Sequence, residues 1–146
     1  MMDNHQWIDF FTDAALAELA NARRYLENKS ALGWVCSSIR SGLMMGIEVW
    51  LRRHDYDLDK GNGWQSTRSQ FFRVAPEDLG SIVTYCLGAV VMHEGPETRI
   101  ENDELIYRSP NVLSEQWQST AKKLIVRAEE VLEILISDVK KNRDEE

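Results

Sequence analysis

Apolar residues recur at three- and four-residue steps along most of the chain, most densely between Ala31 and Leu51. On a 3.6-residue wheel Leu32, Val35, Cys36, Ile39, Leu43, Ile47 and Trp50 form one continuous face. Trp34, Met45 and Val49 lie on its flank, so apolar contact spreads past an ordinary amphipathic stripe. Glu48 is the one acid within this segment and falls on the outer arc. Ser38, Gly42 and Gly46 recur every fourth residue, a small-residue groove where a neighbouring backbone can approach closely. Each glycine weakens a helix by roughly 1 kcal/mol against alanine. Tertiary packing must therefore hold this helix, as expected of a central one.

The same periodicity predicts the other elements. His5 to Asn28 reads as a first helix on Trp7, Phe11, Ala14 or Ala15, Leu19, Ala22 and Leu26, with Asp3 or Asn4 as its cap. Asn28-Lys29-Ser30 is too short to separate two helices, so the first and second should be antiparallel neighbours. The central helix runs out through Arg52-Arg53-His54, whose charges suit the negative end of a helix dipole. Asp55 to Gly63 reads as a loop. Trp64 to Val74 reads as a short helix with Trp64, Phe71 and Phe72 as its apolar contacts.

Ala75-Pro76-Glu77-Asp78 is a helix start, because proline suits the first turn and acids suit its dipole. Leu79, Ile82, Val83, Cys86, Leu87, Val90 and Val91 carry that fourth helix to Gly95-Pro96. Pro96 to Pro110 is polar and mixed, an ordered loop or a short hairpin. A last helix opens at Ser114, or at Ser109 with Pro110 behind it. It carries Trp117, Ala121, Leu124, Ala128, Val131 and Leu135, widened by Ile125, Leu132, Ile136 and Val139, with Ile134 off the face. That breadth exceeds what one antiparallel partner needs and suggests a second subunit there. The expected fold class is all-α, an up-and-down bundle of four to five helices. The whole of residues 1–146 forms one domain with a frayed tail at 142–146.

At 146 residues the chain can bury one good core. Its 43% hydrophobic and 28% charged residues are ordinary for a soluble domain. A formal charge of −7 and a pI near 5.0 disfavour a generic nucleic-acid or anionic-membrane binder. No apolar run approaches the roughly 18 residues of a membrane span, and no leader pattern opens the chain. Cys36 and Cys86, both within apolar helical patterns, read as reduced thiols. A cytoplasmic protein is expected.

Several chemistries can be weighed on the residues. Asp55, Asp57 and Asp59 alternate as calcium ligands would, but Lys60 and Ser66 stand where the calcium loop needs glycine and glutamate. His5, His54 and His93 are too scattered for a metal site. His54 beside Asp55 is an oriented imidazole at most, and more simply a helix-terminal histidine satisfied by a carboxylate. No nucleophile elbow, phosphate loop or Glu-x-x-His occurs. The sequence therefore supplies no catalytic residue, metal or cofactor.

Arginines are the surprise: Arg40, Arg52, Arg53, Arg68 and Arg73 crowd the middle third, interleaved with Trp64, Phe71 and Phe72. Arginines for phosphates and aromatics for bases would suit RNA. The plainer reading is a set of core aromatics with a solvated cationic rim. Arg52, Arg53, His54, Arg68 and Arg73 are the binding candidates.

The first helix carries Trp7, Ala15, Leu19 and Ala22, followed by the turn Glu27-Asn28-Lys29-Ser30. The long second helix has its late acid Glu48 and leaves through His54-Asp55 and Leu58. With Arg99, Tyr107 and the closing Arg127-Ala128-Glu129-Glu130-Val131-Leu132, this pattern resembles a HEPN domain (higher eukaryotes and prokaryotes nucleotide-binding) over roughly the whole chain. The resemblance implies a mostly helical, dimeric domain handling nucleotides or RNA, often in toxin–antitoxin, defence or stress systems. Ribonucleases of that family use an arginine followed four to six residues later by histidine. Arg40, Arg99, Arg108 and Arg127 have no histidine in that window, and the late lysine of the second helix is missing too. The resemblance thus implies a non-catalytic homodimer acting by partner, nucleotide or RNA binding. Two rivals are a protein-only antitoxin, immunity or anti-defence partner, which the acidic surface suits, and a ribonuclease with a non-standard site at Arg52, Arg53, His54 and Asp55.

Overall fold

The computed structural model describes residues 2–28, 32–58, 63–94, 97–101, 104–108 and 115–138. Five helices and a two-stranded hairpin follow in order: α1 (Asn4–Glu27), α2 (Leu32–Arg53), α3 (Gly63–Val74), α4 (Glu77–Glu94), β1 (Glu97–Glu101), β2 (Glu104–Arg108) and α5 (Glu115–Ser137). The helices form a bundle, as the periodicity predicts. The polar stretch after α4 takes the hairpin alternative, with Glu97 opposite Arg108 and Ile100 opposite Leu105. The tail at 142–146, Val139 and the Trp117 side chain lie outside what is described.

The start of α1 is fixed by a reciprocal capping box. Asp3 accepts from the Gln6 backbone at 2.9 Å, and the Gln6 side chain accepts from the Asp3 backbone at 2.8 Å. Asn4 then donates to the Arg52 carbonyl at 3.1 Å, which sets the beginning of α1 beside the end of α2. The pair is antiparallel, as the short connection requires. The bundle closes with α5 antiparallel to α1, through the Arg23–Glu129 ion pair, and parallel to α2, through Gly46 against Leu132 and Leu135.

α2 touches every other helix. Val35, Cys36, Ile39, Leu43, Ile47 and Trp50 are buried as predicted, and so are Met44, Val49 and Leu51. The small-residue groove divides between two neighbours. Gly42 faces Ala15 and Leu19 of α1, whereas Gly46 faces α5. One expectation is corrected: Glu48 is buried, not on an exposed arc. A helix enclosed by four others has no outer arc there.

The end of α2 is a Schellman motif. Tyr56 N donates to the Leu51 carbonyl at 3.0 Å and Asp55 N to that of Arg52 at 3.2 Å. Asp55 sits at φ 61°, the left-handed position this motif needs. The breadth of the α5 face is accounted for inside the bundle: Ala121, Ile125, Ala128, Val131, Leu132 and Leu135 are buried, and α5 packs on α1, α2 and α4.

Candidate functional site

Local spacing builds a concave feature that gathers arginines. Arg40 and Met44 are four apart on α2, and Trp64 and Arg68 are four apart on α3, so each pair shares a helix face. Together with Met45, Leu87 and Val91 from α2 and α4, these faces enclose a cavity of about 270 Å³. The floor is apolar: Met44 is buried and Met45 half-buried. Arg40 and Arg68 are exposed and cationic, and no carboxylate lines the cavity among the described residues. Trp64 is 42% exposed, so its ring remains available to a ligand. Phe11 holds that ring edge-on, with centroids 6.1 Å apart at 82°.

Such a site suits a planar or apolar body carrying a negative group, with the group on the guanidiniums and the body against thioether and indole. Its volume is near the lower end of ligand clefts, roughly 300–1,000 Å³. A ring and one anionic group would fill it.

The five binding candidates, Arg52, Arg53, His54, Arg68 and Arg73, separate in space. Arg68 lines the cavity, and Arg40, one of the crowded arginines but not among those five, lines it too. Arg73 lies five residues from Arg68, about 140° around the helix, and is exposed. Arg52 is spent on structure. It donates to Glu48 Oε1 at 3.1 Å and to Asn4 Oδ1 at 3.2 Å, and its guanidinium lies 5.4 Å from the Trp7 ring centroid. Arg53 keeps its Nε buried, without a hydrogen-bond partner among the described residues. His54 stacks on Trp50 with centroids 4.1 Å apart.

The carboxylate beside His54 is that of Asp138, after α5. Its Oδ2 lies 3.5 Å from His54 Nε2 and accepts from Trp50 Nε1 at 2.7 Å. Of the three α3 aromatics expected as core anchors, only Phe71 is fully buried; Trp64 and Phe72 stay partly exposed. Cys36 and Cys86 are buried thiols, and burial pushes the Cys86 thiol up, against the pull of Arg127. A raised thiol makes a poor nucleophile.

Comparison with protein-family models, with curated proteins and with solved structures returns no match. No described helix is long and apolar enough to cross a membrane.

Glu48 makes the end of α2 pH-sensitive. Burial raises its carboxyl above the usual glutamate range, opposed by the hydrogen bond and charge of Arg52. A raised folded-state value means the contribution to stability is complete below the unfolded value, about 4.3, and is lost as pH rises through the folded value. Glu48→Gln keeps an acceptor for Arg52 and removes the titration. Urea denaturation at a series of pH values should show the variant gaining on wild type as pH climbs from about 4.3 toward neutrality. A pH-independent difference would contradict this.

Proposed function

We propose that this chain is a non-catalytic, HEPN-like helical domain that acts by binding a nucleotide or single-stranded RNA. The carrying observation is the cavity in which Arg40 and Arg68 stand over an apolar floor beside Trp64. A phosphate on the Arg68 guanidinium and a base against an exposed indole match that set of groups. An acidic chain can do this because the two cations are gathered locally, although the total charge is −7. A role in a toxin–antitoxin, defence or stress system belongs to the same proposal and rests on the sequence resemblance.

The test is calorimetric titration with AMP and with a short unstructured oligoribonucleotide. Arg68→Ala should weaken binding about tenfold or more, because hydrogen bonds to charged groups contribute roughly 1.5–3 kcal/mol. Arg73→Ala, off the cavity, should change it little. Absence of binding at millimolar ligand would refute the reading. Equal losses in the two variants would point to diffuse electrostatics instead of a site.

One observation favours a second reading, an antitoxin or immunity partner. Leu16 and Leu19 of α1 and Leu132 and Ile136 of α5 line an apolar groove of about 330 Å³ that also carries Glu133, beside the Glu129 already paired with Arg23. Apolar floor and acidic rim would suit a basic amphipathic helix of another protein. In that case Leu16→Asp, at a 52% exposed position, would abolish partner binding while Arg68→Ala left it intact.

A further inference from the structure

In a chain of net charge −7, α3 carries two arginines, Arg68 and Arg73, and no carboxylate. Its aromatics are also divided in an unusual way. Phe71 is fully buried, edge-on to Trp50, whereas Trp64 and Phe72 stay 42% and 38% exposed. Taken singly, exposed rings need no explanation. Here their placement does. Trp64, Arg68 and Phe72 stand four residues apart. Each step of four advances about 6 Å along an α-helix and drifts about 40° around it, so the three share one edge of α3. Thr67, Gln70 and Phe71 make up the buried side of the same helix. Trp64 and Arg68 line the cavity, and Phe72 continues their edge by one more turn, outside the lining.

The order of exposed ring, guanidinium and exposed ring matches base, phosphate and base along a single strand. Aromatic side chains stack bases of any sequence, and arginine takes the phosphate between them. Trp64 to Phe72 spans about 12 Å of helix, whereas stacked neighbours in a duplex strand lie about 3.4 Å apart. The edge therefore fits two bases splayed to either side of their shared phosphate, which an unpaired strand allows. An acidic chain can present such an edge because α3 contributes only positive charge to it.

We propose that the Trp64–Arg68–Phe72 edge of α3 holds a dinucleotide step of single-stranded nucleic acid. One base lies in the cavity against Trp64, the phosphodiester on Arg68 and the next base on Phe72. This rests on the nucleotide reading of the cavity and narrows its ligand to a strand rather than a free mononucleotide.

Calorimetric titration of the full chain with AMP and with the dinucleotide ApA tests it. ApA adds a second base yet carries less charge than AMP, having a phosphodiester in place of a monoester, so electrostatics alone would rank it lower. ApA should bind about tenfold tighter than AMP, the worth of one more base on an aromatic ring. Phe72→Ala and Phe72→Leu should each bring the two ligands to the same affinity with unchanged circular dichroism. If Phe72→Ala fails to fold, Phe72→Leu, which keeps apolar bulk without a ring face, decides the matter. Tyr85→Ala, which removes a 79% exposed ring on α4, should keep the tenfold difference. The deoxy dinucleotide dApdA carries the same chemistry, and whichever of it and ApA binds tighter names the strand. AMP binding that neither dinucleotide exceeds, or a dinucleotide preference that survives both Phe72 variants, overturns the proposal and leaves the cavity reading standing. No binding of any of the three overturns both.

Discussion

Gly46→Leu should cost the fold about 3 kcal/mol or more, read as a drop in the urea midpoint with an unchanged slope. Gly46 lies where α2 meets α5, and a Cβ there would fall 2.6 Å from Leu132 Cδ1 and 3.2 Å from Leu135 Cδ1. Both leucines are at most 1% exposed, and a whole leucine side chain at position 46 would have to displace both from their packed positions. Gly46→Ala should be much milder, because alanine gains about 1 kcal/mol in helix propensity and its nearest contact is Leu132 Cδ1, the far end of a side chain that borders the groove between α1 and α5. At Gly42 the added Cβ would meet Ala15 O at 3.2 Å and Leu19 Cδ2 at 3.3 Å, and because Ala15 O belongs to the backbone of α1 and cannot swing aside, Gly42→Ala should destabilise too. Gly80 supplies the opposite control. Nothing lies within 4 Å of its added Cβ, so Gly80→Ala should express the propensity gain of up to about 1 kcal/mol. Wild-type stability in Gly46→Leu would mean that α2 and α5 do not meet at this glycine.

Much of this architecture is written in local pattern. The four-residue recurrence of Ser38, Gly42 and Gly46 marks close helix approach, and Asp3 with Gln6 marks the start of α1 at cap spacing. Short links fix which helices are neighbours. Glu48 shows where the wheel fails, since a wheel assumes one buried side and α2 is covered from four. A signal did exist: Val49-Trp50-Leu51, an uninterrupted apolar triplet beside Glu48, is what a helix buried all round displays.

Long-range partners were not legible. The groups that orient His54 and hold Trp50 belong to Asp138, 88 residues beyond Trp50, and Arg23 meets Glu129 across 106 residues. Neither pair has any spacing to read. The cavity is a similar case. Arg40 and Arg68 come from different helices, and the crowding of arginines in the middle third does not say which ones border a common cavity. Arg52, the first of the most prominent arginine pair in sequence, is used for joining helix ends because the end of α2 is where α1 begins.

The contacts of Asp138, His54 and Phe71 converge on Trp50, and Trp50→Ala should be the other most damaging single change, at roughly 3–5 kcal/mol. The indole is 2% exposed. It meets Phe71 of α3 edge-on at 5.3 Å and stacks with His54 at 4.1 Å. Its Nε1 donates to Asp138, which ties the exit of α2 to the end of α5. Truncation therefore opens a cavity between three elements and releases a carboxylate at once. Two gentler variants separate these effects. Trp50→Phe removes the N–H while keeping most of the apolar contact, and Asp138→Ala removes the acceptor together with the carboxylate beside His54. Each should cost about 1.5–3 kcal/mol at most, the range for a hydrogen bond to a charged group. Because they break the same bond, the double variant should cost clearly less than their sum. Strict additivity would show that the bond contributes nothing, and the joining of α2 to α5 would then rest on Leu132 and Leu135 packed over Gly46.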